Sequence, residues 1–166
     1  MVRHAKAVSD HPRGDHERPL NDRGAAAAIA VGQTLVAREL VPDVVACSTA
    51  TRTRQTWDGV VAGGARACEV RYLELLYLAS VPTLLRTVQA MPRSAGTVMV
   101  VGHSPGIPAL VDFLVARTAG SRDWPRLGEY PTAGVAVLAL TSPWSDVSEG
   151  CAELMDFIVP RPADPK

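Results

Sequence analysis

Much that would announce a function is missing from this sequence. Its three cysteines, Cys47, Cys68 and Cys151, are odd in number and far apart, and no CxxC pair occurs. That argues against a disulfide framework or a paired-cysteine zinc site and predicts free thiols in a reducing compartment. No apolar run is long enough to cross a bilayer, and nothing ahead of Arg3 has the length of a signal peptide. Neither sign of charge is in excess: 17 basic and 17 acidic side chains leave a formal net charge of zero. Without a global field there is no pull towards nucleic acid or an anionic membrane. No P-loop motif is present. These absences predict a soluble, cytoplasmic protein with neither nucleic acid nor membrane as partner.

What is there is a chain of 166 residues, 47% of them apolar, enough for one compact domain with a substantial core. The expectation is a single domain over residues 1–160, with 161–166 ("RPADPK") as a loose tail. Charge is locally uneven. Residues 1–23 hold Arg3, Lys6, Arg13, Arg18 and Arg23 together with His4, His11 and His16. Such a segment is either a solvated basic loop or one wall of an anion site.

Met1–His4 supplies only the end of a strand, since central strands usually run to about five or six residues. The brevity suggests that a few strand residues belong upstream. "SDHPRGDHERP" is a loop by its Pro, Gly and Asp content. "NDRGAAAAIAVGQTLVAREL" reads as a helix over 21–40, capped by Asn21 or Asp22 and favoured by its alanines. "DVVACS" (43–48) is a strand, "TATRTRQTWDGVVAGG" a helix closed by Gly63 and Gly64, and "ACEVRYL" a strand. Ser80 caps a predicted helix over 81–91 with Pro82 in its first turn. "TVMVV" (97–101) is apolar throughout, as a strand buried on both faces should be, and "GHSPG" leads from it into the helix "IPALVDFLVART". Residues 118–132 read as a long loop, and "AGVAVLALT" and "AELMDFIVP" as an antiparallel hairpin at a sheet edge. The alternation predicts an α/β three-layer sandwich with a mostly parallel central sheet. Such sheets bind ligands beyond the carboxyl ends of their strands. Arg3-His4, Ser48 to Arg52 and Gly102-His103 all follow predicted strands.

Three chemistries can be weighed against these residues. Gly102-His103-Ser104-Pro105-Gly106 fits the G-x-S-x-G nucleophile elbow literally. However, no histidine follows Ser104 to complete a triad in that order, and Pro105 lacks the N–H an oxyanion hole needs. From Cys47, arginines fall five and seven positions on, whereas a cysteine-phosphatase cradle places its arginine six on; Cys47 reads as core. His11, Asp15 and His16 fit no strong zinc pattern, because Pro12 and Gly14 break the helix that would align them. No metal and no cofactor is expected.

A fourth chemistry fits better: His4 as a nucleophile in an arginine-lined pocket. Guanidinium forks match phosphoryl oxygens and stay ionised. Their charge also disfavours imidazolium, which keeps an imidazole nucleophilic. "VRHAKA", "RPLNDRG", "STATRTRQT" and "VGHSPG", in that order, resemble the histidine phosphatase superfamily and most closely its small SixA-type phosphohistidine phosphatase branch. The resemblance implies a phosphoglycerate mutase-like fold without a large cap insertion. It implies His4 as the phosphate-accepting nucleophile, Arg3 as its neighbouring ligand, Arg52 as second core arginine and His103 as second core histidine. Arg18 matches a further phosphate-contacting arginine, Ser104 is placed at the substrate, and Leu20 and Gly24 match structural positions. Ala5 stands where many members carry glycine. For the general acid, Glu74 is the best candidate and Glu69 and Asp58 are weaker; Arg54 reads as a surface residue. The implied substrate is a phosphorylated protein carrying phosphohistidine, or else a small phosphorylated molecule. A phosphate-binding module without turnover is the alternative from another class.

Overall fold

The apolar runs at Val44–Ser48 (β2) and Val98–Gly102 (β4) form adjacent parallel strands inside a six-stranded sheet. All five residues of β2 are buried, as a strand covered on both faces requires. The structure, a computed structural model, describes residues 1–115 and 130–160. Its other strands are β1 (Val2–Arg3), β3 (Glu69–Leu73), β5 (Val135–Leu140) and β6 (Ala152–Ile158), and the spatial order is β3-β2-β4-β1-β5-β6. The first four are mutually parallel, while β5 runs antiparallel to β1 and β6 antiparallel to β5. The predicted mostly parallel sheet with an antiparallel hairpin at one edge is therefore the architecture observed.

Helices α1 (Asp22–Ala37) and α2 (Thr51–Ala62) cover one face, and α3 (Val81–Gln89) and α4 (Gly106–Leu114) the other. Alternate residues of the central strands feed two separate cores. Val45, Cys47, Met99 and Val101 pack with Ala28, Val31, Leu35, Trp57 and Val60 on one side. Val44, Ala46 and Val100 pack with Leu84, Val88, Ile107 and Leu110 on the other. This is the three-layer sandwich.

Several predicted boundaries shift for local reasons. Asn21 does cap α1, its side chain accepting the Gly24 N–H at 2.9 Å. The helix stops at Ala37 rather than Leu40, because the chain turns through Glu39 at φ 56° before Pro42. Ser80 sits at the N-cap of α3, yet its hydroxyl lies 3.2 Å from that of Thr83 instead of on a backbone N–H. Helix α4 ends at Leu114, and Val115 bridges to Ala152. Most of the predicted 118–132 loop and the 161–166 tail lie outside the described residues.

Two details position the amino-terminal segment. A Cβ on Gly24 would stand 2.0 Å from the Lys6 carbonyl oxygen, so α1 approaches the backbone after His4 closely only because that residue is glycine. Strand β1 is indeed only two residues long. Beyond its start, β4 and β5 line an apolar cavity of about 100 Å³ with Met1, Val98, Met99, Val137 and Leu138 in its wall. The Met1 amine donates to the Ala136 carbonyl there at 2.8 Å, and burial pulls its pKa down to about 5.

Candidate active site

The carboxyl ends of β1, β2 and β4 deliver the side chains that the sequence singled out. His4 continues β1, its N–H donating to the Gly102 carbonyl at 2.9 Å. Its ring Nδ1 lies 2.8 Å from the Ala5 carbonyl oxygen. A carbonyl only accepts, so Nδ1 carries the hydrogen and Nε2 of the neutral ring keeps its lone pair. The backbone after His4 is fixed in turn by α2. The Ala5 N–H donates to Thr56 Oγ1 at 2.9 Å, and that hydroxyl donates to the Arg52 carbonyl at 2.6 Å. Ala5 is fully buried.

Arg52, in the first turn of α2, is only 1% exposed. Its Nη1 donates to the Asp15 carbonyl at 2.6 Å, and its Nη2 to Asp15 Oδ2 at 2.9 Å. The same Nη2 lies 3.3 Å from Nδ1 of His103, whose Nε2 is 2.9 Å from Ser48 Oγ. The rings of His4 and His103 are 5.3 Å apart between centroids. Arg3 donates through Nη1 to the Tyr130 carbonyl. Arg18 reaches the same cluster through Asp15, donating from Nε to Oδ1 at 2.8 Å, while its Nη1 holds the Val8 carbonyl at 2.8 Å. Leu20 is anchored by the Gln55 side chain, which accepts its N–H at 2.7 Å.

The electrostatics follow from this packing. Burial, reinforced by Arg52, Arg3 and Arg18, lowers the His4 pKa to about 4. Burial, then the neighbouring His4 and Arg52, lowers that of His103 to about 3. Both imidazoles are thus neutral at pH 7. Burial also lowers the pKa of Arg3 from its ordinary value. Asp15 is held down at about 2, first by the Tyr77 hydroxyl, which donates to Oδ2 at 2.6 Å, and then by Arg52. Nε of Arg3 and Nε of Arg52 are buried and have no hydrogen-bond partner among the described residues. An unpaired buried donor costs about 1–3 kcal/mol. The arrangement brings together an imidazole with a free lone pair on Nε2, a second neutral imidazole and two guanidinium groups with unpaired Nε–H donors among the described residues.

The remaining candidates separate. Glu74 sits in a 3-10 turn after β3, with its side chain 78% exposed. It accepts from Thr49 Oγ1 and lies 4.0 Å from His16 Nε2, which puts it at the rim. Glu69 is engaged by Arg71 at 2.6 Å, and Arg54 stacks on the exposed Tyr72 ring at 5.2 Å, the surface role expected of it. Ser104 is half-buried and, among the described residues, makes no hydrogen bond to either histidine. Cys47 is buried, and burial pushes its thiol up to about 12, the reverse of what a nucleophilic thiolate needs.

Sequence reasoning missed the supporting shell. From sequence Asp15 stands out only as a candidate metal ligand, yet its carboxylate is the hub joining Arg18, Arg52 and Tyr77. Its spacing of three residues from Arg18 was the available signal. Ser48 stands out only as the start of the segment that leaves β2, and Thr56 and Tyr77 give no signal. Tyr77 meets the His103 ring edge-on at 5.4 Å, a contact made by the path of the chain after β3.

The fold is an α/β sandwich that gathers His4, His103, Arg3 and Arg52 at the carboxyl edge of its sheet, a candidate anion site. Comparison with known proteins gives the family. A profile of the histidine phosphatase superfamily (branch 1) matches residues 1–76. An uncharacterized protein of Mycobacterium tuberculosis is 39% identical over 163 residues, covering 96% of this chain and 100% of the relative. Among solved structures, an assigned phosphohistidine phosphatase SixA of Nakamurella multipartitia is 40% identical with a TM-score of 0.84, covering 96% of this chain and 93% of that one. One from Agrobacterium tumefaciens, assigned likewise, is 29% identical with a TM-score of 0.78, covering 96% and 95%. The chain belongs to the histidine phosphatase superfamily and falls in its SixA-type branch.

Proposed function

We propose that this protein is a phosphatase that works through a covalent phospho-His4 intermediate and takes its phosphoryl group from phosphohistidine on a protein. The observation that carries the reading is the His4 ring itself, with Nδ1–H bonded to the Ala5 carbonyl and Nε2 bare beside Arg3, Arg52 and His103. In the first step the Nε2 lone pair forms a bond to phosphorus. The bond from phosphorus to the donor nitrogen breaks, and that nitrogen keeps the electron pair and takes a proton. Arg3, Arg52 and Arg18 balance the charge on the equatorial oxygens, and His103 adds a hydrogen bond. In the second step water attacks phosphorus and releases a proton. The pair returns to Nε2 and inorganic phosphate leaves. The proton stays on Nδ1, donated to the Ala5 carbonyl, throughout.

The leaving group favours phosphohistidine. An imidazole has a pKa of about 6.5 and departs with little acid help, whereas an alkoxide needs a well-placed acid. Glu74, exposed at the rim, and solvent suffice for the former. Ser104, half-buried at the turn after β4, serves in this reading as a further substrate contact. No metal or cofactor takes part in this scheme, and the cytoplasm is the compartment in which it would work.

The test is brief exposure to phosphoramidate or a phosphohistidine protein, followed by mass spectrometry. An acid-labile, alkali-stable phosphoryl adduct on His4 is expected, absent in His4→Ala. Turnover that persists in His4→Ala would overturn the reading. Sugar phosphates and nucleotides assayed in parallel rank the small-molecule alternative; faster turnover of one of these would displace the protein substrate.

A further inference from the structure

We infer that Ser48 is a positioning residue that sets which nitrogen of His103 carries the proton, and that its hydroxyl reverses from acceptor to donor when a phosphoryl group enters. The inference rests on the phosphatase reading above for its consequence, though not for its geometry.

Ser48 ends β2 and is completely buried, so its hydroxyl must find partners within the fold. Its Oγ lies 2.9 Å from His103 Nε2 and accepts from the Ala50 N–H at 3.5 Å. Across the ring, Nδ1 lies 3.3 Å from Nη2 of Arg52. A guanidinium can only donate. Nδ1 therefore holds a lone pair, and the neutral ring keeps its hydrogen on Nε2, donated to Ser48.

That tautomer is wrong for the job. A phosphoryl dianion offers acceptors only, and one seated beside Arg52 meets the bare Nδ1 of His103. The ring can serve it only with a hydrogen on Nδ1, which strips Nε2 and leaves a buried nitrogen needing a donor. Doubly protonating the ring is opposed by burial, His4 and Arg52. A serine hydroxyl solves this because it rotates: it accepts from Nε2–H in the free site and donates to bare Nε2 in the occupied one. A backbone carbonyl or a carboxylate in its place could only accept. Protons balance. The ring gives up the hydrogen on Nε2 and gains one on Nδ1 through exchange with water, and it stays neutral.

The experiment is nitrogen-15 NMR of the histidine rings, with and without saturating inorganic phosphate. Wild-type His103 should read as the Nε2–H tautomer alone and as Nδ1–H with phosphate. Ser48→Ala should lose this phosphate-dependent change and show ring shifts averaged over both tautomers with and without phosphate, with kcat on p-nitrophenyl phosphate down about tenfold, the factor that one hydrogen bond of about 1.4 kcal/mol supports. Ser48→Thr, which keeps a hydroxyl, should restore both. A wild-type ring that stays Nε2–H with phosphate, or a Ser48→Ala ring that titrates and exchanges like wild type, overturns the inference. The two claims fail separately. Wild type that forms phospho-His4 while its His103 never changes tautomer sinks only the Ser48 role. A ring that exchanges with phosphate in a protein that never forms phospho-His4 sinks only the phosphatase reading.

Discussion

Arg52 and His103 meet through a contact that only a deprotonated nitrogen can make: Nη2 of the arginine lies 3.3 Å from Nδ1 of the histidine. The two residues start from different strands, β2 and β4, and converge because those strands are neighbours in the sheet. Their proximity puts permanent positive charge against imidazoles that are already desolvated, and the site's pH behaviour follows.

His4 should remain a working nucleophile far into acid. Its pKa of about 4, set mainly by burial and then by the arginines, means that the neutral ring predominates down to that value. With substrate ionisation corrected, the acid limb of kcat/KM should have its midpoint near about 4 rather than near the ordinary histidine value of about 6.5. A pH–rate profile on p-nitrophenyl phosphate checks this. A midpoint near 6.5 would mean that His4 is solvated and that the pocket as described is not the working one.

The same two rings should make the fold acid-sensitive. His4 and His103 are lowered to about 4 and about 3 in the folded protein and return to about 6.5 when unfolded. Between those values the unfolded chain binds more protons, so stability rises with pH and falls as pH drops. The full contribution is present above about pH 6.5 and erodes through the window down to about 4 for His4 and about 3 for His103. Thermal melts at pH 7 and pH 5 should show a lower Tm at pH 5. The difference should shrink in the double variant His4→Gln, His103→Gln.

Arg52→Lys should cost about 10²–10³ in kcat/KM. An ammonium cannot hold the Asp15 carbonyl, the Asp15 carboxylate and His103 at once as the guanidinium does. Steady-state kinetics test it. A loss under about fivefold would mean that charge alone matters at this position.

The sequence carried the architecture because the strand and helix periods were clean, with apolar runs at Val44–Ser48 and Val98–Gly102 and alanine-rich α1. It singled out Arg3, His4, Arg52 and His103 because motifs resembling those of the family fall at or shortly after the ends of β1, β2 and β4. It did not carry Asp15. A carboxylate in a loop between Gly14 and His16 has no periodicity to mark it, and its partners come from α2 and from the turn after β3. Glu74 was legible as a carboxylate after a strand, but its exposure at the rim depends on how that turn packs.

Gly24→Ala should destabilise the fold by about 2 kcal/mol or more, in the range of a buried steric clash. The added methyl would stand 2.0 Å from the Lys6 carbonyl oxygen. Lys6 also accepts the Asn21 N–H at 3.0 Å, so α1 cannot back away without losing that bond. Chemical denaturation measures the loss. Because Lys6 lies two residues after His4, activity should fall as well; unchanged stability would mean that the helix entry yields freely.

Asp15→Asn should tighten the binding of inorganic phosphate. The Asp15 carboxylate stays ionised, held at about 2 by Tyr77 and Arg52. It satisfies Nη2 of Arg52 and Nε of Arg18, two donors that face the pocket's cluster, so it competes with any incoming anion for them. Asparagine keeps the shape and one accepting oxygen while removing the charge. Its side chain is 48% exposed, so solvent damps the effect to about 1 kcal/mol, or roughly a fivefold lower Ki for phosphate. The hydrogen bonds to Arg52 and Tyr77 weaken when the charge goes, so the variant should also unfold at slightly lower denaturant. Product inhibition of p-nitrophenyl phosphate turnover reads the Ki directly. A Ki that stays level or rises would mean that Asp15 serves to aim Arg52 at the phosphoryl group rather than to compete with it.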